Sequence, residues 1–429
     1  MTDHQGSLSR RAFVGAATVA VALPSVRGET PVRPVADLEH NVYTRLLGVR
    51  PHLGAHEHIS RLGGGRMAPE VLEAMAEANE FFVDIHELTL AAGQRVAALV
   101  GAEAALVTAG GFSGLVLGAA ACLTGTDEEK IAALPHPTWD RRECLIQSCQ
   151  RFGYDRAYRV AGATIAEGAT RADLEAKLGP KTAFIAGLSN AERQGMFAPP
   201  LSAGRAPPPD PRLVKQEDLI AMGRKAGVPV LIDMASDLPP WGSLRRFLDA
   251  GADLVVMSGG KVIGGPQSSG ILAGRKDLIE AARRNATPFD NVGRGMKVGK
   301  EEVIGLVVAL ERFVRQDHQA EAERWNARAA RIVGRLQDIP GLTCRLDENT
   351  AGYVDADLTW DERDIRLTKD SLRAALVKGT PRVELEVIIT KDRDTTRWHA
   401  TARTRVLRDG EELKVADRLR TVFLEAGRR

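Results

Sequence analysis

Apolar positions along this chain repeat with two different periods, and the switch between them outlines the fold. Over residues 69–82 and 85–100 they return at helical spacing. A shorter helix is predicted over 37–47, and 52–65 is irregular and glycine-rich. From residue 104 onward, compact apolar runs alternate with helical ones. Strands are predicted at 104–108, 144–146, 182–186, 228–232, 254–257 and 270–273. Helices fall between them at 114–123, 172–178, 215–226 and 244–250. This alternation predicts an α/β fold, a largely parallel sheet with helices on both faces.

The segment 193–211 is rich in Pro, Gly and Ala and reads as an inserted surface loop. A helical run over 303–336 is predicted to link two domains. Beyond residue 341 the pattern changes: strands at 342–345, 383–389 and 398–404, helices at 369–376 and 411–424. These predict a smaller α+β domain. The expected division is an N-terminal arm and substrate loop over 31–65, a large domain over 66–320, and a linking helix with the small domain over 321–429. A length of 429 residues agrees, since it exceeds what one compact core usually organises.

Composition adds mainly exclusions. A chain that is 44% hydrophobic and 27% charged is an ordinary soluble globular protein. A net charge of +2 leaves no basic excess to mark a nucleic-acid footprint, so no nucleic-acid partner is expected. Cys122, Cys144, Cys149 and Cys344 fit no zinc spacing. Cys144 and Cys149 are close enough in sequence to pair in an oxidising compartment; unpaired, buried thiols are the other reading.

At the N-terminus, Ser9-Arg10-Arg11-Ala12-Phe13 sets two arginines before an apolar stretch at 14–23 that is too short to span a membrane as a lasting helix. Ala20-Val21-Ala22 offers a small-residue cleavage site. Residues 1–30 therefore read as a twin-arginine export signal, which predicts an exported, periplasmic protein without membrane attachment once the signal is removed. That route carries folded proteins, so a cofactor loaded inside the cell travels with its enzyme. A basic tail is the alternative, and it leaves the protein in the cytoplasm. No other segment is long and apolar enough to be transmembrane.

The chemistry concentrates at two strand ends. The strand at 254–257 runs into Ser258-Gly259-Gly260-Lys261-Val262-Ile263-Gly264-Gly265-Pro266, and the strand at 228–232 runs into Asp233. Lys261 lies 28 positions after Asp233, about one strand–helix–strand unit. A lysine and an acid so placed suit pyridoxal phosphate: the lysine forms a Schiff base with its aldehyde and the acid keeps its ring nitrogen protonated. Taken singly, Asp233 also suits a helix N-cap and Lys261 a solvated loop. Upstream, Thr108-Ala109-Gly110-Gly111-Phe112-Ser113-Gly114 joins a strand to a helix. Its glycines and the unpaired N–H groups of the helix start make a phosphate cup, with Thr108 and Ser113 as hydroxyl donors. Ser258 is a further hydroxyl beside the lysine or the phosphate.

With these residues in place, the chain resembles fold-type I pyridoxal phosphate enzymes of the selenocysteine synthase-like branch, most nearly the D-glucosaminate-6-phosphate ammonia-lyase-like proteins. The resemblance rests on Leu62-Gly63-Gly64-Gly65-Arg66-Met67-Ala68-Pro69-Glu70, Phe82-Val83-Asp84-Ile85-His86-Glu87-Leu88, Gly101-Ala102-Glu103-Ala104-Ala105 and Tyr154-Asp155-Arg156-Ala157. The stretch from Ser258 to Pro266, Arg294-Gly295-Met296-Lys297-Val298-Gly299-Lys300-Glu301-Glu302, and Asp409-Gly410-Glu411-Glu412 extend it over residues 40 to 429. It implies a homodimer or larger assembly with the site at the subunit interface. It also places Lys261 at the Schiff-base position, Asp233 at the ring nitrogen, and Gly110, Gly111 and Ser258 at the phosphate. Gln150 falls where a residue stacks on the ring, and Arg294, Lys297 and Arg66 fall toward the substrate. One stretch departs from the family: His52-Leu53-Gly54-Ala55-His56-Glu57-His58-Ile59-Ser60-Arg61 stands where relatives carry small polar residues. His56 there is a candidate substrate or acid–base contact. Metal binding through His52, His56 and His58 lacks a fourth ligand at recognisable spacing.

The function expected is that of a lyase or transferase on a small amino acid or amino sugar acid. Lys261, released by the substrate amine, takes the Cα proton, and elimination or replacement follows at Cβ. Racemisation begins with the same proton abstraction and is the alternative within enzymes. An exported cofactor-binding protein without catalysis is the alternative outside them.

Overall fold

The structure is a computed structural model that describes residues 37–191, 210–239, 242–348, 352–385, 389–391 and 396–427. The predicted export signal and nearly all of the predicted 193–211 loop lie outside these residues. Its helices are α1 (Val42–Leu47), α2 (Pro69–Asn79), α3 (Ile85–Val100), α4 (Gly110–Thr124), α5 (Glu128–Ala133), α6 (Arg156–Val160), α7 (Arg171–Lys177), α8 (Gln216–Ala226), α9 (Ser243–Asp249), α10 (Lys276–Asn285), α11 (Lys300–Arg315), α12 (His318–Leu336), α13 (Lys369–Lys378) and α14 (Glu411–Gly427). Its strands are β1 (Leu53–Ala55), β2 (Ala104–Thr108), β3 (Glu143–Gln147), β4 (Thr164–Gly168), β5 (Thr182–Leu188), β6 (Val230–Asp233), β7 (Leu254–Ser258), β8 (Gly270–Gly274), β9 (Leu342–Glu348), β10 (Val354–Asp361), β11 (Val383–Leu385), β12 (Ile389–Lys391) and β13 (Arg397–Ala402).

A seven-stranded sheet in the order β2-β8-β7-β6-β5-β3-β4 organises the large domain. Its pairs are parallel except those of β8, which runs antiparallel to both β2 and β7. Alternate residues of the central strands serve opposite faces. Ile185, Ile232 and Val255 join one core with Val96, Leu219, Leu306 and Leu310. Phe184, Leu231 and Val256 join the other with Leu115, Leu117 and Ile279. Burial on both faces explains why these strands read as unbroken apolar runs.

The small domain is built on an antiparallel sheet, β12-β13-β10-β9. Trp360 and Phe423 meet there at 5.2 Å between ring centroids, nearly perpendicular, and the Trp360 indole N–H donates to the Leu367 carbonyl at 2.9 Å. β1 pairs in parallel with β11, and Leu53 and Ala55 belong to this domain's core. The arm expected over 31–65 is thus partly a piece of the C-terminal domain.

Three other expectations change. The predicted 303–336 helix is two helices, because Asp317 caps α12 by accepting from the Ala320 N–H at 3.0 Å. The predicted strand over 383–389 divides into β11 and β12. Sequence reasoning missed β10, the strand between β9 and β13, although its apolar and polar residues alternate from Val354 to Asp361; its Asp355 and Asp357 are buried. Cys144 and Cys149 are both buried and free.

Candidate active site

Ser258 at the end of β7 pairs directly with Gly270 at the start of β8. Residues 259–269 between them are knotted by backbone hydrogen bonds: Gly259 N–H to Ser269 O at 2.9 Å, Gly265 N–H to Gly259 O at 2.9 Å, and Gly264 N–H to Lys261 O at 3.0 Å. A Cβ on Gly260 would lie 2.5 Å from Gln267 Cα, so packing itself demands glycine beside the lysine. From this loop Lys261 Nζ donates to Ser236 Oγ. Asp233 ends β6, the neighbour of β7, and is 4% exposed. Its Oδ1 accepts from the Ala235 N–H at 3.0 Å.

Burial works on this pair in opposite directions. It pushes the Asp233 carboxyl up to about 6, against the Ala235 N–H and Lys261, which both pull it down. It lowers the Lys261 ammonium below its usual range, against the attraction of Asp233. A lysine so lowered is more often the free amine that attacks an aldehyde or takes a proton.

The start of α4 faces the same place. Its N-cap, Ala109, supplies no side-chain bond, which leaves the first N–H groups of a long helix for a ligand. A Cβ on Gly111 would lie 3.2 Å from the Ala235 Cβ, and one on Gly270 would lie 2.5 Å from the Gly110 carbonyl carbon. The helix start, the end of β6 and the start of β8 therefore crowd together. Thr108 and Ser113 already donate to the Gly110 and Ala109 carbonyls, at 3.0 and 2.8 Å. The cup is thus one of backbone N–H groups, joined by Ser258, which is half-buried at the mouth of the lysine loop. An open helix start and an acid and a lysine at adjacent strand ends fit the phosphate, the ring nitrogen and the aldehyde of pyridoxal phosphate.

Other expected residues fall elsewhere. Gln150 is wholly buried. Its amide donates to Val214 O at 3.0 Å and accepts from the Leu188 N–H at 2.9 Å, so it braces the backbone and has no free face to stack on a ring. Arg66 binds Glu411 through two contacts of 3.0 and 2.8 Å, holding the start of α14 in place of the expected substrate contact. Arg328 to Asp409 and Arg331 to Glu412 complete this brace, which gives the Asp-Gly-Glu-Glu motif a structural role. Arg294 pairs with Asp290 at 2.9 Å and Lys297 is exposed; among the described residues no hydrogen bond or ion pair joins either to Lys261 or Asp233.

His56 is buried within its own segment. Its Nδ1 donates to the Glu57 carbonyl at 2.6 Å, so in the neutral ring Nε2 accepts from His52 Nε2–H at 3.0 Å. His58 is the histidine beside the lysine loop. A Cβ on Gly65 would meet both His58 Cδ2, at 3.0 Å, and Lys261 O, at 3.6 Å. Burial, aided by the charge of Lys261, pushes His58 down to about 4.

Sequence reasoning missed Ser236, Ser189 and Asn190. Ser189 and Asn190 follow β5, next to β6, and Asn190 Nδ2 donates to Ser236 O at 3.2 Å. Ser189 Oγ is buried without a partner among the described residues. The available signal was two polar residues, Ser189-Asn190, at the end of an apolar run in the strand position next to Asp233.

This fold with this site defines a pyridoxal phosphate-dependent enzyme of fold type I. The chain belongs to the selenocysteine synthase-like family of such enzymes. The family profile described as "SelA: L-seryl-tRNA selenium transferase" matches residues 211–337. The 5'-C-glycyluridine monooxygenase-decarboxylase of a Streptomyces species is 33% identical over 315 residues, 73% of this chain and 75% of that one. The D-glucosaminate-6-phosphate ammonia lyase of Salmonella typhimurium is 28% identical over 323 residues, 73% of this chain and 79% of that one. A solved D-glucosaminate-6-phosphate ammonia-lyase superposes with a TM-score of 0.75 at 24% identity, over 90% of this chain and 99% of the other, a likeness of fold.

Proposed function

We propose that this lyase or transferase acts at Cα and Cβ of a small amino acid or amino sugar acid, by elimination or β-replacement. The observation that carries the reading is Lys261 Nζ at the end of one strand with buried Asp233 at the end of the next. The bound cofactor supplies an electron sink that weakens bonds at Cα. Lys261, lowered by burial, takes the Cα proton at Nζ. Ser236 accepts from Nζ and so orients it. Asp233 would hold the cofactor's ring nitrogen, and the α4 N–H groups with Ser258 would hold its phosphate. Lys261→Ala should lose the visible absorbance of the bound cofactor, and activity should fall at least about 100-fold. A purified Lys261→Ala protein that keeps the absorbance overturns the assignment. An amino-acid and amino-sugar-acid panel followed by absorbance and product analysis then identifies the substrate.

The Streptomyces relative's name supports a second reading, oxidative decarboxylation, in which the carboxylate leaves as carbon dioxide and dioxygen takes up electrons. Oxygen uptake with that panel separates the two, since elimination consumes none.

The proposed assembly is a homodimer, supported by apolar side chains left exposed around the start of α3. Phe81 is 60% exposed, and Val83, Ile85 and Leu90 stand beside it. Export through the twin-arginine motif at Arg10 and Arg11 is proposed from the sequence, and a reporter fused to residues 1–30 tests it by its location.

A further inference from the structure

α1 is built inside out. Both of its ends are closed: the Asn41 side chain accepts from the Tyr43 and Thr44 N–H groups at 2.9 and 3.2 Å, Thr44 Oγ1 accepts from the Asn41 N–H at 3.0 Å, and Gly48 ends the helix at a φ of 66°. Yet none of its residues is buried. Val42 with Leu46, and Tyr43 with Leu47, stand one turn apart and form an apolar stripe. That stripe is the exposed face, with Leu46 at 69% and Leu47 at 70%, whereas polar Thr44 is half-buried. Six residues are too few for a helix to hold itself in water. This one is fastened at its flanks: Leu38 packs against the core of the antiparallel sheet, and Arg50 donates to the Gly379 carbonyl at 3.1 Å.

The turn between α2 and α3 is a second bare surface, with Phe81, Phe82, Val83, Ile85 and Leu90 exposed. Of the sixteen large apolar side chains exposed among the described residues, ten lie in 42–49 and 81–90. A soluble monomer scatters such residues singly, so two concentrations call for cover. Their charges are opposite. α1 carries Arg45 and no acid, whereas the turn carries Glu80, Asp84 and Glu87, with His86 among them. Among the described residues none of Arg45 and these three acids forms a salt bridge. Two apolar surfaces of opposite charge suit each other, and a two-fold axis between two copies of one chain would make the contact twice.

We propose that α1 of each protomer docks on the 80–90 turn of a second copy of this chain. This rests on the homodimer reading above and names what covers its apolar turn. Because α1 leads into β1, the contact ties the β1–β11 strand pair of one copy to the start of α3 in the other.

Sedimentation velocity of the full chain, loaded with cofactor, tests the exchange. The natural chain should be a dimer. Leu46→Asp sets a charge in the apolar stripe and should raise the dimer dissociation constant at least about 100-fold, as should Phe82→Asp. An equimolar mixture of the two variants should recover dimers at least about tenfold better than either alone, since one chain keeps a sound turn and the other a sound α1. A mixture that dimerises no better than its components overturns the exchange and leaves a homodimer packed turn against turn. A Leu46→Asp chain that stays dimeric overturns it too, and a lowered melt in that chain would mean that α1 is covered within its own protomer. A monomeric natural chain overturns both the exchange and the homodimer; if it sediments with phosphatidylglycerol vesicles only while Leu46 is intact, the occupant is a lipid surface. Should Leu46→Asp not fold, Leu46→Ala must still raise the constant about tenfold, and an unchanged constant overturns the proposal.

Discussion

Asp233 is kept for chemistry at the expense of the cofactor-free fold. Its carboxyl titrates near 6 when folded and from 3.8 otherwise. A carboxyl raised on folding adds no cost below 3.8, and the cost grows as pH rises through 6. A shift of that size corresponds to about 3 kcal/mol. Asp233→Asn should therefore stabilise the cofactor-free protein by about 2–3 kcal/mol at pH 7 and by nothing near pH 3. The same variant should release the cofactor more readily on dialysis. Denaturant melts at the two pH values check this, and equal melts at pH 7 would refute it. His52 and His58, both pushed down to about 4, have the opposite sign. Their contribution is whole above 6.5 and is lost as pH falls toward 4. Lys261 and Asp233 were legible in sequence because each ends an apolar strand. The place of His58 was not, since only folding decides which of three histidines in a short loop comes to border the lysine loop.

The phosphate cup is made where elements meet, and its tolerance is small. Gly270→Ala would drive a Cβ to 2.5 Å from the Gly110 backbone and push α4 off β8. Expected are a loss of about 1–3 kcal/mol in stability and weaker retention of cofactor. Thermal melts and dialysis followed by absorbance measure both, and unchanged retention would mean that the start of α4 does not hold the phosphate. Most strands of the large sheet could be read in advance because both faces bury apolar side chains. Edge strand β4 escaped, since Glu167 and Thr164 break its apolar run. β10 escaped although its apolar and polar residues alternate; its buried Asp357 is paired with Arg345 at 3.1 Å. Gln150 shows the limit of a family position carried over without its contacts.

On the scale of the whole molecule, apolar exposure gathers around the residues before α3. Phe82, 102% exposed, is the extreme case. Phe82→Asp should convert the proposed dimer to monomer with little change in the melt of the chain itself. Sedimentation velocity reads the mass, and an unaltered oligomer would place the interface elsewhere. The second, antiparallel sheet and its core were visible in the change of pattern after residue 341, but the return of the N-terminal arm was not, because three-residue strands such as β1 leave almost no periodicity. That return has a consequence in time. β1 waits for β11, and Leu53 is 330 residues ahead of its partner Val383. At roughly 5–20 residues per second, a ribosome takes about 20–70 s to cover that distance. Throughout that interval the seven-stranded sheet is already emerging, while the segment carrying Glu57 and His58 has no strand to dock on. The segment that borders the lysine loop is therefore docked last, after the sheet that carries Asp233 is complete.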